Sequence, residues 1–137
     1  MLLKVRNDIQ EIDRICNDIK EFCFSNDIDE KKCFDILMIV DELATNIIKY
    51  AFNDEQEHIF DILLEKNSQT IHIQLTDDGI PFDPLKKSDP DTMSSLEDRN
   101  IGGLGIFFAK QLSKLITYAR IEDKNQLDIL VSLKEEE

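Results

Sequence analysis

The spacing of apolar residues changes period midway along the chain, and that change restricts the fold more than any other feature of the sequence. Through residue 51 apolar positions recur every three or four residues. Ile9, Ile12, Cys16, Ile19, Phe22 and Cys23 mark one amphipathic helix; Phe34, Leu37, Met38, Ala44, Ile47, Ile48 and Ala51 mark a second, longer and mostly buried one. Asp27 or Asp29 stands where the second helix needs an N-cap. Further on, Ile71, Ile73 and Leu75 alternate with His72, Gln74 and Thr76, the period of a half-buried strand. Strands are expected over 59–65 and 70–76 with a turn between them. Helical spacing returns over 102–115, and strands 116–121 and 127–133 close a hairpin around a turn at 122–126. With a short extended piece at 2–6, the order is strand, two helices, two strands, loop, helix, two strands. Such an order places helices on one face of a mixed sheet, and 137 residues suffice for one domain spanning 1–137.

Charge narrows the partners. Sixteen basic against 29 acidic residues give a net charge of −13, which repels phosphate backbones and anionic lipids and argues against direct nucleic-acid binding. No stretch approaches the roughly 18 apolar residues of a membrane span, and residues 1–7 lack a signal peptide's apolar core, so a cytoplasmic protein is expected. Cys16, Cys23 and Cys33 are odd in number and lack paired spacing, which predicts reduced, partly buried thiols. His58 and His72 are solitary and suggest no metal site.

Three clusters carry chemistry. Glu42 and Asn46, four apart, place a carboxylate and a carboxamide on one helix face, able to point into one site. An amide among apolar neighbours needs a partner, which a loop, a ligand or a metal-bound oxygen would supply. Asp77-Asp78-Gly79-Ile80-Pro81-Phe82-Asp83-Pro84 follows a strand directly and sets an acid at its end, where it can accept a hydrogen bond from an exocyclic amine. Gly79 permits positive φ and close approach of a ligand ring, although Asp-Gly is also common turn punctuation. Gly102-Gly103-Leu104-Gly105 opens a helix, where free N–H groups and the helix dipole attract phosphate. It lacks the Lys-Ser/Thr ending of a Walker A loop and follows a loop rather than a dinucleotide-binding strand.

In this order, D-E-L-A-T-N, D-D-G and G-G-L-G resemble the N, G1 and G2 boxes of the GHKL ATPase superfamily. The P-F-D-P continuation and the run G-G-L-G-I-F-F-A-K-Q-L are similar to bacterial anti-sigma regulatory factors with serine kinase activity. The resemblance covers nearly the whole chain. It implies an α/β two-layer sandwich, a mixed, mostly antiparallel sheet with three helices on one face. It further implies ATP and Mg2+ as cofactors, with Glu42 as general base and Asn46 as magnesium ligand. Lys49 would face the phosphates, Asp77 would receive the adenine amine beside Gly79, and Gly103, Leu104 and Gly105 would wrap the triphosphate. Residues 83–101 would be the ATP lid. Three positions depart from the pattern. Pro81 replaces a second glycine, Gln126-Leu127-Asp128 replaces a Gly-Thr pair that supports the adenine-site acid, and Arg99 is either a solvated lid residue or a γ-phosphate contact.

The resulting expectation is a transferase of transcription regulation, a serine/threonine-protein kinase that phosphorylates an antagonist (anti-anti-sigma) protein and sequesters a sigma factor. The alternative is a non-catalytic, nucleotide-responsive binding module of the same fold; a homodimer is left open. A histidine kinase is disfavoured because no dimerising helical pair with a phosphoacceptor histidine precedes the motifs.

Overall fold

A computed structural model of the protein describes residues 1–86 and 103–134. The elements follow the expected order: β1 (Leu2–Arg6), α1 (Glu11–Ser25), α2 (Glu30–Asn46), β2 (Ile59–Lys66), β3 (Thr70–Asp77), α3 (Gly103–Leu112), β4 (Leu115–Ile121) and β5 (Lys124–Ser132). The strands form one sheet in the order β1-β2-β3-β5-β4, and all four described pairings are antiparallel.

Period-two alternation makes one sheet face apolar. Val5 lies opposite Phe60, Ile62 opposite Leu75, Leu64 opposite Ile73, Ile73 opposite Ile129 and Leu75 opposite Leu127, all buried. The helices contribute Ile15, Ile19, Ile36, Ile39, Val40, Leu43, Ile106 and Ala109 to the same core, giving the two-layer α/β sandwich. The other sheet face is polar. There Asp128 lies 2.7 Å from His72 Nε2 and accepts hydrogen bonds from the Gln74 and Gln126 amides at 2.9 and 2.8 Å. Burial raises its affinity for a proton, but these bonds together hold the Asp128 carboxyl below its usual range.

Several boundaries differ from expectation. Asp29, not Asp27, caps α2, accepting from Lys32 N at 2.8 Å, while Asp27 adopts a left-handed φ of 56°. Ile9 is exposed ahead of α1. The second helix does not run regularly to Ala51 but widens into a π-turn over Ile47–Ala51, whose last carbonyl accepts from Ile80 N at 2.8 Å. π-turns frequently occur at functional sites. The closing hairpin turns in two residues, Glu122 and Asp123, both left-handed at φ 50° and 63°, the geometry that matches strand twist. β5 therefore starts at Lys124, three residues before the strand predicted at 127, and this brings Asn125 into the sheet.

One ionic contact joins the first strand to the first helix. Glu11, almost fully buried, accepts from Arg14 at 2.5 Å and from the Arg6 guanidinium and backbone N–H at 3.2 and 3.3 Å. The Arg14 hydrogen bond leads, Arg6 adds to it against the cost of burial, and the Glu11 carboxyl is pulled from 4.5 to about 2. Because the folded value lies below the unfolded one, the stabilisation is complete above about pH 4.5 and lost as pH falls toward about 2. In thermal melts across that range, Glu11→Gln should remove this part of the pH dependence. At neutral pH it should cost about 1–2 kcal/mol, modest because both arginines are half exposed.

Candidate functional site

Asp77 is the last residue of β3 and occupies the inner face, one alternation beyond Leu75, so it is buried by the same register that buries the aliphatics. Its Oδ1 accepts from Gly79 N at 2.9 Å and from Asn125 Nδ2 at 3.0 Å. Oδ2 has no hydrogen-bond partner among the described residues. Burial pushes the carboxyl above its usual range, with Asp78 adding to the rise and Asn125, Gly79 and Arg120 opposing it.

Asp77 borders a small pocket of about 30 Å³, walled by Leu43, Ile47, Leu75 and Leu127 and bordered by Asn46 and Tyr118. An apolar cleft with a few polar groups is what a planar heterocycle requires. Asn46, half-buried at the end of α2, makes no side-chain hydrogen bond among the described residues.

Glu42 lies one turn earlier on α2 but lines a different cavity, the groove between α2 and α3 beside Met38, Asp41, Gly105, Phe108 and Leu112. Glu42 and Asn46, expected to be able to point into one site, border adjacent cavities one turn apart along α2. Gly105, in the first turn of α3, touches the Glu42 carboxylate so closely that any Cβ there would collide with its Cγ, Cδ and Oε1. Burial foremost, then Asp41, raises the Glu42 carboxyl above its usual range, while Lys49 acts in the opposite direction. Lys49 is exposed in the π-turn.

Gly79 serves a different purpose from the one expected. Its φ is not left-handed; instead, a Cβ there would strike the Ala51 carbonyl, so the glycine lets the π-turn abut the loop after β3. Arg120 Nη1 donates to the Gly79 carbonyl at 2.8 Å. Gly103 and Leu104 begin α3. Arg99 and residues 87–101 of the expected lid lie outside the described residues; its start, Pro84–Lys86, is a short 3₁₀ turn.

Asn125 was missed by sequence reasoning. With the hairpin turn placed over 122–126, Asn125 fell in a loop, and Gln126-Leu127-Asp128 was compared with the supporting Gly-Thr pair. The register sends Gln126 and Asp128 to the polar face and sets Asn125 directly opposite Asp77. The available signal was a weak one, an amide in phase with Leu127, Ile129 and Val131.

A profile of the histidine kinase-like ATPase domain matches residues 5–131, and the chain belongs to that family. The particular relatives differ in what they do. Serine/threonine-protein kinase BtrW of Bordetella bronchiseptica is 24% identical over 96 residues, 70% of this chain and 68% of that protein. In the SiaB-SiaC complex from Pseudomonas aeruginosa, the similar chain covers 96% of this one and 89% of itself, with a TM-score of 0.59 and 11% identity. The Acinetobacter baumannii histidine kinase AdeS gives a TM-score of 0.53 at 16% identity, over 98% of this chain and 70% of that one. These structures share the fold, and the family implies ATP binding. No helix among the described residues is long and apolar enough to cross a membrane.

The two tightly packed glycines should respond differently to a methyl group. Gly79→Ala forces backbone against backbone at Ala51 and should lower stability by about 1–3 kcal/mol in denaturant titrations. Gly105→Ala meets a side chain that can rotate away, so it should cost less stability while displacing Glu42. Equal losses for both variants would contradict this assignment.

Proposed function

We propose that this chain is an ATP-dependent serine kinase of the anti-sigma regulatory kind, acting in the cytoplasm on an antagonist protein and, in another state, sequestering a sigma factor. The observation that carries the reading is the packing of Gly105 on Glu42, which holds a carboxylate of raised proton affinity at the first turn of α3, one helical turn from Asn46. BtrW, a serine/threonine-protein kinase by name, supports the activity, and the SiaB-SiaC complex supports a protein partner.

In this reading the Asp77 pocket takes adenine, its apolar walls covering the ring faces and the free Asp77 oxygen accepting from the exocyclic amine. The N–H groups at Gly103, Leu104 and Gly105 bind the phosphates at a helix N-terminus, with Lys49 adding positive charge. Among the described residues no three His, Cys, Asp or Glu side chains converge, so Asn46 would hold Mg2+ only together with phosphate oxygens. When bound, that ion supplies neutralisation of phosphate charge. In the transfer itself, the serine Oγ forms a bond to the γ-phosphorus, the bond from phosphorus to the β–γ bridging oxygen breaks, and the hydroxyl proton passes to Glu42. A carboxyl raised above its usual range suits a base.

The non-catalytic module draws support from one observation, that Glu42 and Asn46 face separate cavities. Parallel measurements of ATP binding and of radiolabel transfer to a candidate antagonist from the same cell separate the readings. Glu42→Ala should reduce transfer about 100- to 10,000-fold while leaving ATP affinity nearly intact, whereas Asn46→Ala should lose both and Asp77→Asn should weaken binding. If the wild type binds ATP and the partner tightly yet transfers no phosphate, the module stands.

A further inference from the structure

The amide of Asn125 has two N–H donors and one oxygen with two lone pairs, and all four capacities are used. Nδ2 donates to Asp77 Oδ1 at 3.0 Å and to the Ile80 carbonyl at 2.7 Å. Oδ1 accepts from the Tyr118 hydroxyl at 2.5 Å and from Phe82 N at 3.3 Å. The residue is buried, with 5% exposure. A flipped amide would aim its NH2 at the Phe82 N–H, which can only donate, so Asp77 always meets a donor.

That constraint acts on the pocket in two ways. It saturates Asp77 Oδ1 together with Gly79 N, leaving Oδ2, without a partner among the described residues, as the acceptor that Asp77 can offer to the pocket it borders. It also ties the loop bearing Phe82, which borders the same pocket, to β5. With every Asn125 hydrogen engaged, the amide has no donor left to offer a ligand carbonyl.

We propose that Asn125, oriented by Tyr118, is a positioning residue that makes this pocket select 6-aminopurines over 6-oxopurines. The inference rests on the nucleotide reading above and adds to it the residues that enforce the choice. A 6-amino group gives its proton to Asp77 Oδ2. A 6-oxo group would set an oxygen against that carboxylate oxygen and leave both without a donor, the kind of mismatch that discriminates strongly. The Gly-Thr pair absent from 126–128 is replaced by a direct amide contact from the opposite strand.

Calorimetry with magnesium and either adenosine diphosphate or inosine diphosphate, which differ at the 6-position, tests the proposal. The wild type should prefer the adenine nucleotide. In Asn125→Leu, affinity for adenosine diphosphate should fall about 10- to 100-fold with little change for inosine diphosphate, so that the ratio collapses. Tyr118→Phe removes only the hydroxyl and should shift the ratio in the same direction by less. Melting curves without nucleotide verify folding; should Asn125→Leu fail to fold, the ratio in Tyr118→Phe decides. If the wild type binds no adenosine diphosphate, the nucleotide reading falls and takes this inference with it. If it binds while the variants keep the ratio, or weaken both nucleotides equally, only the positioning role falls.

Discussion

A carboxylate at the end of a strand whose other inward residues are aliphatic is the constraint around which the candidate site is built. Placing Asp77 there costs several kcal/mol of hydration unless hydrogen bonds replace the lost water. The fold supplies them to one oxygen, from the Gly79 N–H and the Asn125 amide, and leaves the other without a partner among the described residues. The offset is incomplete, and the carboxyl is pushed up accordingly. A site with one unsatisfied acceptor, fixed by its neighbours, is poised for a ligand that carries a donor.

The remaining geometry follows from α2 being a wall shared by two cavities. Its Leu43 and Asn46 border the Asp77 pocket, while Asp41 and Glu42 border the groove under α3. The absent side chains of two glycines set the distances: Gly79 lets the loop after β3 meet the π-turn at Ala51, and Gly105 lets α3 meet Glu42. The π-turn extends this logic. By widening α2 just after Asn46, it presents the Ala51 carbonyl to Ile80 N, and Ile80 in turn accepts from Asn125. The helix end, the loop and the far strand are thereby joined in one hydrogen-bonded chain around the pocket.

Membership in the histidine kinase-like ATPase family and likeness in fold to structures at 11 to 16% identity show how little shared sequence the fold requires. Packing needs only apolar residues of suitable size at the inward positions, so the core tolerates wide substitution. The polar contacts of the pocket are less forgiving, because each buried donor or acceptor must find its counterpart. In this chain the buried acid finds its counterparts in Asn125 and the Gly79 N–H.

Much of this was legible in the sequence. The apolar period alone gave the element order, the helical layer and the alternating sheet face, because burial of one face is set by residue spacing. Glu42, Asn46, Asp77 and the glycines were visible because their chemistry is out of place among apolar neighbours or at a helix start. What tertiary structure decided were the relations between distant segments. Whether Asn125 sits in a turn or in a strand depends on a two-residue hairpin at Glu122 and Asp123, which lack the glycine or asparagine that usually announces one. A shift in strand start of three residues then determined which side chain opposes Asp77, 48 positions away in the chain. The division of Glu42 and Asn46 between two cavities likewise depends on where α3 packs against α2. Spacing within a segment fixes which face a residue takes, but only the register between segments fixes what it meets, because that pairing is set by three-dimensional packing rather than local period.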